Sequence, residues 1–102
     1  MKGLGGPMKI YIIGSVNENE YSIKYVATRF EKLGHEVRYV KKEHGLPLEA
    51  LIRNCFLTIE QWADLVVVVP KQIYPTIEIG DGTKYEMEHA LSYGKPVLIN
   101  YL

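Results

Sequence analysis

The chain has a single cysteine, lacks a long apolar run and carries no excess of either charge. Because Cys55 is the one cysteine in 102 residues, an internal disulfide and a multi-cysteine metal cluster are excluded. We therefore expect no metal site and a reducing, cytoplasmic location. The longest apolar run, around LVVVVP, is too short to span a membrane. A formal net charge of zero favours neither nucleic acid nor an anionic membrane as a partner.

The length and composition fit one globular domain. Hydrophobic residues make up 47% of the chain and charged residues 24%, values typical of a compact domain of modest core size. The first seven residues, MKGLGGP, are glycine-rich and precede a second methionine, Met8. We interpret residues 1–7 as a flexible leader or expression remnant, and residues 8–102 as a single α/β domain.

Strand and helix patterns alternate along this domain. The strand patterns are KIYII, HEVRYV, LVVVV and PVLINY, and apolar residues at helical spacing lie in each interval between them. Right-handed crossovers turn such an alternation into a parallel sheet with helices on both faces. We predict a doubly wound, flavodoxin-like sheet of about four strands in the order 2-1-3-4. A crevice then opens at the carboxyl ends of strands one and three.

Two residues that follow the first strand are candidates for ligand binding at this crevice. Gly14 permits close approach of the backbone to a ligand, and Ser15 offers a hydroxyl and an amide to a phosphate or a sugar hydroxyl. A simple turn is an equally good explanation of this pair. The segment GSVNEN lacks the lysine and the further glycines of nucleotide-binding fingerprints, so we expect no nicotinamide or other cofactor.

The segment GDGTKYEMEHA brings several polar residues to the start of the third predicted helix. Asp81 and Thr83 have the side chains of helix caps. Glu86 is expected in the first turn beside the crevice, where the helix dipole favours an ionised carboxylate that can act as a nucleophile or a base. An exposed first-turn glutamate that stabilises the helix is as good an explanation. His89, one turn further, is either a surface histidine or a proton-relay partner of Glu86.

Three blocks of the sequence together resemble the nucleoside 2-deoxyribosyltransferase family, including its nucleotide N-glycosidase branch. The blocks are KIYIIGS, WADLVVVV and GTKYEMEHALSYGKPVLI, and the resemblance spans residues 8–100. It implies that Glu86 is the nucleophile that attacks the anomeric carbon of a 2-deoxyribosyl group. It further implies a nucleoside or nucleotide as the small-molecule partner, and a homodimer. The other site residues that the resemblance implies are Asp64 as a catalytic aid and Tyr11, Ser15 and Asp81 for substrate binding. Gly14, Gly82 and Thr83 complete the expected substrate-binding set.

Two functions of other classes remain open at this point. One is a catalytically silent module that binds a nucleotide or sugar phosphate in the same crevice. The other is a small dimeric interaction protein. For Asp64 alone, solvation of a helix end is a more usual role than catalysis. Release of a free base from deoxynucleosides separates an enzyme from both alternatives.

Overall fold

The computed structural model describes residues 6–41, 45 and 47–100. Most of the expected leader therefore lies outside the described residues, as do residues 42–44, 46, 101 and 102 of the expected domain. The elements are, in chain order, β1 (Lys9–Gly14), α1 (Val16–Lys32), β2 (Glu36–Tyr39), α2 (Leu48–Gln61), β3 (Leu65–Val69), α3 (Asp81–Ser92) and β4 (Val97–Ile99).

The four strands form one parallel sheet in the order β2-β1-β3-β4. This confirms the predicted α/β, flavodoxin-like architecture. Strand β1 lies at the centre, with Ile12 opposite Tyr39 of β2 on one side and opposite Val67 of β3 on the other. β1 and β3 read as continuous apolar runs because both of their faces are covered.

Two separate hydrophobic clusters cover the two faces of the sheet. The first joins alternate residues of β1 and β3 to α1, through Ile23, Val26 and Ala27. The second joins the intervening residues of the same strands to α2 and α3, through Ile59 and Ala90. Successive side chains of a strand point to opposite faces, so one apolar run supplies both clusters. Helices α2 and α3 therefore lie side by side on one face.

Glycines end two of the helices. Gly34 follows α1 with a φ of 93°, and Gly94 follows α3 with a φ of 69°. A residue without a Cβ adopts this left-handed conformation at little cost, and it lets the chain leave the helix toward the next strand.

Ser15 occupies the cap position of α1, and Asn19 donates a 2.6 Å hydrogen bond to the carbonyl of Pro70. The start of α3 differs from the prediction. Helix α3 begins at Asp81, and its cap residue is Gly80, which has no side chain to form a capping hydrogen bond. Asp81 and Thr83 therefore do not act as caps, and Glu86 lies in the second turn rather than the first.

A long connection follows β3, as the sequence indicates. It returns on itself through an antiparallel bridge between Gln72 and Glu78. The ammonium of Lys71 lies 3.3 Å from a carboxylate oxygen of Glu18, which ties this connection to the first turn of α1. None of the helices in the described part of the chain is long and apolar enough to cross a membrane.

Candidate functional site

A pocket of about 740 Å³ opens at the carboxyl end of β1, on the face covered by α2 and α3. Its floor is formed by Tyr11 and Gly14 of β1. The first half of α2 supplies an apolar wall, and the end of β2 supplies Arg38 and Lys41. The second turn of α3 adds Tyr85 and Glu86. The volume lies within the range of small-molecule sites, roughly 300–1,000 Å³.

Glu86 is the acidic residue of this pocket among the described residues. Burial raises the pKa of its carboxyl group to about 7, and a hydrogen bond from Cys55 lowers it by a smaller amount. Its Oε2 atom is buried and has no hydrogen-bond partner in the part of the chain that the structure describes. The sequence predicted that the helix dipole favours the ionised carboxylate, whereas burial at this depth favours the protonated form because the charged form loses hydration.

Cys55 also lines the pocket, although the sequence did not indicate it as a site residue. It lies one turn before the fully buried Ile59, as Glu86 lies one turn before the fully buried Ala90. Ile59 and Ala90 meet in one hydrophobic cluster, and this packing sets the thiol of Cys55 opposite the carboxyl of Glu86. Helical spacing shows which face of α2 is buried, but it does not show which residue of another helix lies across from it.

Tyr11 and Gly14 are at the pocket, as predicted. Tyr11 is 5% exposed and packs in the cluster shared with α2 and α3. A Cβ on Gly14 would lie 3.0 Å from the carbonyl oxygen of Val69 and 3.1 Å from a side-chain carbon of Ile23. Packing within the fold therefore favours glycine at this position, and this preference is independent of any ligand.

Ser15 and Thr83 lie beside the pocket, at a junction where two helices begin. A Cβ placed on Gly80 would lie 2.5 Å from Ser15 Oγ and 4.0 Å from Thr83 Oγ1, so the hydroxyls of both residues surround this glycine. The starts of α1 and α3 therefore converge here. Gly82, the second residue of α3, lines the pocket itself, whereas Asp81 is exposed. Converging helix N-termini favour an anion or a strong hydrogen-bond acceptor.

Asp64 lies at the opposite edge of the sheet. Its Oδ2 accepts a 3.0 Å hydrogen bond from the backbone N–H of Lys9, and its own N–H donates to the carbonyl of Lys9 at 2.7 Å. Asp64 directly precedes β3, and in a parallel sheet all strands begin at the same edge. The structure therefore does not bring Asp64 together with Glu86, and it gives this aspartate a role in joining the starts of β1 and β3.

His89 pairs with α2 rather than with Glu86. Its Nε2 lies 2.6 Å from Glu60 Oε2, and its ring stacks on Phe56 at a centroid distance of 4.0 Å. The relay between His89 and Glu86 is thus not formed. In the described ranges, no group of three or more His, Cys, Asp or Glu side chains is arranged to hold a metal ion.

No protein-family model matches the chain, and no curated protein matches it either. The assignment to the deoxyribosyltransferase family therefore depends on the sequence resemblance alone. The function must be argued from the pocket.

Proposed function

We propose that the protein is a nucleoside or nucleotide 2-deoxyribosyltransferase or N-glycosidase in which Glu86 is the nucleophile. The observation that carries the proposal is the position of Glu86, a largely buried carboxyl group with an unpartnered oxygen on the wall of a ligand-sized pocket. Buried carboxyl groups with a strongly raised pKa are concentrated at functional sites. The alternative of an exposed glutamate that merely stabilises the helix does not account for this burial.

The surroundings of Glu86 fit a nucleoside in size and chemistry. The apolar wall that α2 provides is suited to a planar base, which needs little hydrogen bonding on its faces. The converging starts of α1 and α3, marked by Ser15 and Gly80, offer N–H groups to a 5′-phosphate or 5′-hydroxyl. Arg38 and Lys41 add two cations to the pocket lining.

The proposed reaction is a double displacement. In the first step an ionised carboxylate oxygen of Glu86 attacks the anomeric carbon, and the bond between that carbon and the base nitrogen breaks. The electron pair of this bond goes to the base, which takes a proton. In the second step water or another base attacks the sugar ester, and the carboxylate of Glu86 is released.

The described pocket lining contains no second carboxyl group that could protonate the leaving base. Asp64, which the resemblance implies as a catalytic aid, is held at the other edge of the sheet by Lys9. Protonation of the base then falls to solvent or to a phenol of the pocket, Tyr11 or Tyr85. We therefore expect slow turnover, fastest with bases that leave easily.

The lack of a second carboxyl group in the described pocket lining favours a second candidate, a binding module without turnover. A pocket that lacks an acid for the leaving group retains every feature needed to bind a nucleotide. This candidate predicts saturable binding of deoxynucleoside 5′-monophosphates with no release of base.

The homodimer and the cytoplasmic location expected from the sequence are part of the enzyme proposal. Light scattering in solution tests the homodimer.

The experiment that tests the proposal is incubation with deoxynucleosides and their 5′-monophosphates, followed by chromatography of the free base. Glu86→Gln keeps the shape of the side chain but removes the nucleophile, so we expect base release to fall at least about 10³-fold. Glu88→Gln is the matched control, because Glu88 is exposed on the same helix. An unchanged rate in Glu86→Gln rejects the proposal, and binding without any release supports the second candidate.

A further inference from the structure

We infer that Cys55 is a positioning residue for Glu86: its thiol, held opposite the carboxyl group by the packing of α2 on α3, donates a hydrogen bond that orients the carboxylate in the pocket. The inference rests on the proposed function for its catalytic meaning. The hydrogen bond itself stands independently of any reaction. Nothing in the apolar pattern around Cys55 requires such a polar contact.

The packing of α2 against α3 fixes this pair. Cys55 and Ile59 lie on one face of α2, and Glu86 and Ala90 lie on the facing side of α3. Ile59 and Ala90 are fully buried, so the two helices cannot shift locally without opening the core. Cys55 and Glu86, one turn earlier on their helices, are thereby held together at the wall of the pocket.

Cys55 is the donor to Glu86, because the hydroxyl of the neighbouring Thr58 already donates to another acceptor. Thr58 also lines the pocket, but its Oγ1 donates to the carbonyl of Asn54 within α2 at 2.9 Å. The thiol of Cys55 donates to Glu86 and lowers the pKa of that carboxyl group against the effect of burial. Because Oε2 of Glu86 has no hydrogen-bond partner among the described residues, loss of the thiol would remove a hydrogen bond that the charged form does not replace elsewhere.

The other charged and titratable groups at the pocket do not share this role. The remaining ones in its described lining are Tyr11 of β1, Arg38, Tyr39 and Lys41 at the end of β2, and Tyr85 of α3. The causes that shift the pKa of Glu86 are burial and Cys55, and none of these five residues is among them. His89, on the same helix, is paired with Glu60.

The test is a carboxyl carbon-13 NMR titration of Glu86, run beside the pH profile of base release. The Glu86 signal is assigned by its disappearance in Glu86→Gln. The variants are Cys55→Ala, which removes the donor, and Cys55→Ser, which replaces the thiol by a stronger donor. Thr58→Val is the matched control, because it changes a neighbouring pocket side chain that does not contact Glu86 in this way. Thermal unfolding checks that each variant is folded.

We expect the titration midpoint of Glu86 to rise in Cys55→Ala and to return to or below the wild-type value in Cys55→Ser. Below the wild-type midpoint, base release should fall roughly twofold to fivefold in Cys55→Ala, while the alkaline plateau is retained. Thr58→Val should leave the titration midpoint of Glu86 unchanged, because the Thr58 hydroxyl donates to the carbonyl of Asn54.

A midpoint in Cys55→Ala equal to that of the wild type would overturn the inference. Equal shifts in Cys55→Ala and Cys55→Ser would do the same, because they would mark a packing role only. Absence of base release from the wild type is a different failure: it overturns the proposed function, and the NMR midpoints still decide whether the hydrogen bond exists.

Discussion

His89 Nε2 lies 2.6 Å from Glu60 Oε2, in a contact that joins α3 to α2 one turn beyond Glu86. The ring of His89 is also stacked on Phe56, with an angle of 7° between the ring planes. This contact and the Cys55–Glu86 hydrogen bond form two successive polar links across the same helix pair.

The first prediction concerns this link. His89→Ala removes the hydrogen bond to Glu60 and the stacking on Phe56, so the free energy of unfolding should fall by about 1–3 kcal/mol. Urea unfolding measures it. Glu88→Ala, at an exposed neighbouring position of α3, should change stability by less than about 0.5 kcal/mol. Equal losses in the two variants would show that the His89 contact is not formed in solution.

The second prediction concerns Asp64. Asp64→Ala removes the acceptor of the Lys9 N–H and should lower the free energy of unfolding by about 1 kcal/mol. Since Asp64 lies at the edge of the sheet opposite the pocket, base release should stay within about threefold of the wild type. Chromatography of the free base checks this. A loss as large as that of Glu86→Gln would restore Asp64 to the catalytic machinery.

The third prediction compares two glycines that line the pocket. The Cβ of Gly14→Ala would press on the carbonyl of Val69 and on Ile23, so we expect a destabilisation of about 1–3 kcal/mol. A Cβ at Gly82 would meet nothing within 4 Å, and alanine within α3 should raise stability by up to about 1 kcal/mol. Thermal unfolding of both variants decides the matter. A Gly14→Ala variant as stable as the wild type would contradict the packing described for β1.

The fourth prediction follows from the pKa of Glu86, which burial raises from 4.5 to about 7. Below pH 4.5 the carboxyl is protonated in both the folded and the unfolded chain, so it contributes no pH dependence. As the pH rises from 4.5 toward 7, the unfolded chain loses this proton while the folded chain keeps it, and stability falls. The loss should reach about 3 kcal/mol and stay constant at higher pH.

Glu86→Gln isolates this contribution. The variant lacks the carboxyl proton, so its stability relative to the wild type should increase across the interval from pH 4.5 to 7 and then level off. Urea unfolding at a series of pH values measures the difference. A stability difference between the two proteins that does not change with pH would show that Glu86 is hydrated in the folded chain.

Much of the fold was predictable because local and long-range signals agree. The LVVVV run and the alternation of strands with helices specify a parallel sheet, and the handedness of crossovers restricts its order. The helix ends at Gly34 and Gly94 were also predictable, because a left-handed residue after a helix strongly favours glycine.

The site was predictable only in part, because a sequence pattern places a residue on a face but does not show what lies opposite. Gly14 and Glu86 were expected at the crevice beside the carboxyl end of β1, and both line the pocket. The contact of Cys55 with Glu86 depends on how α2 packs against α3. The apolar pattern of α2 does not predict which residue of α3 lies opposite Cys55. The position of Asp64 was available from topology, since a residue that precedes a strand lies at the amino edge of a parallel sheet.

The central claim is that the carboxylate of Glu86 bonds covalently to the sugar, and the most direct test is to locate that bond. The wild-type protein is quenched in acid during turnover of a deoxynucleotide, digested and mapped by mass spectrometry. We predict a deoxyribosyl adduct on the α3 peptide that carries Glu86, and neither adduct nor turnover in Glu86→Gln. An adduct on another residue, or full turnover in Glu86→Gln, would contradict the account.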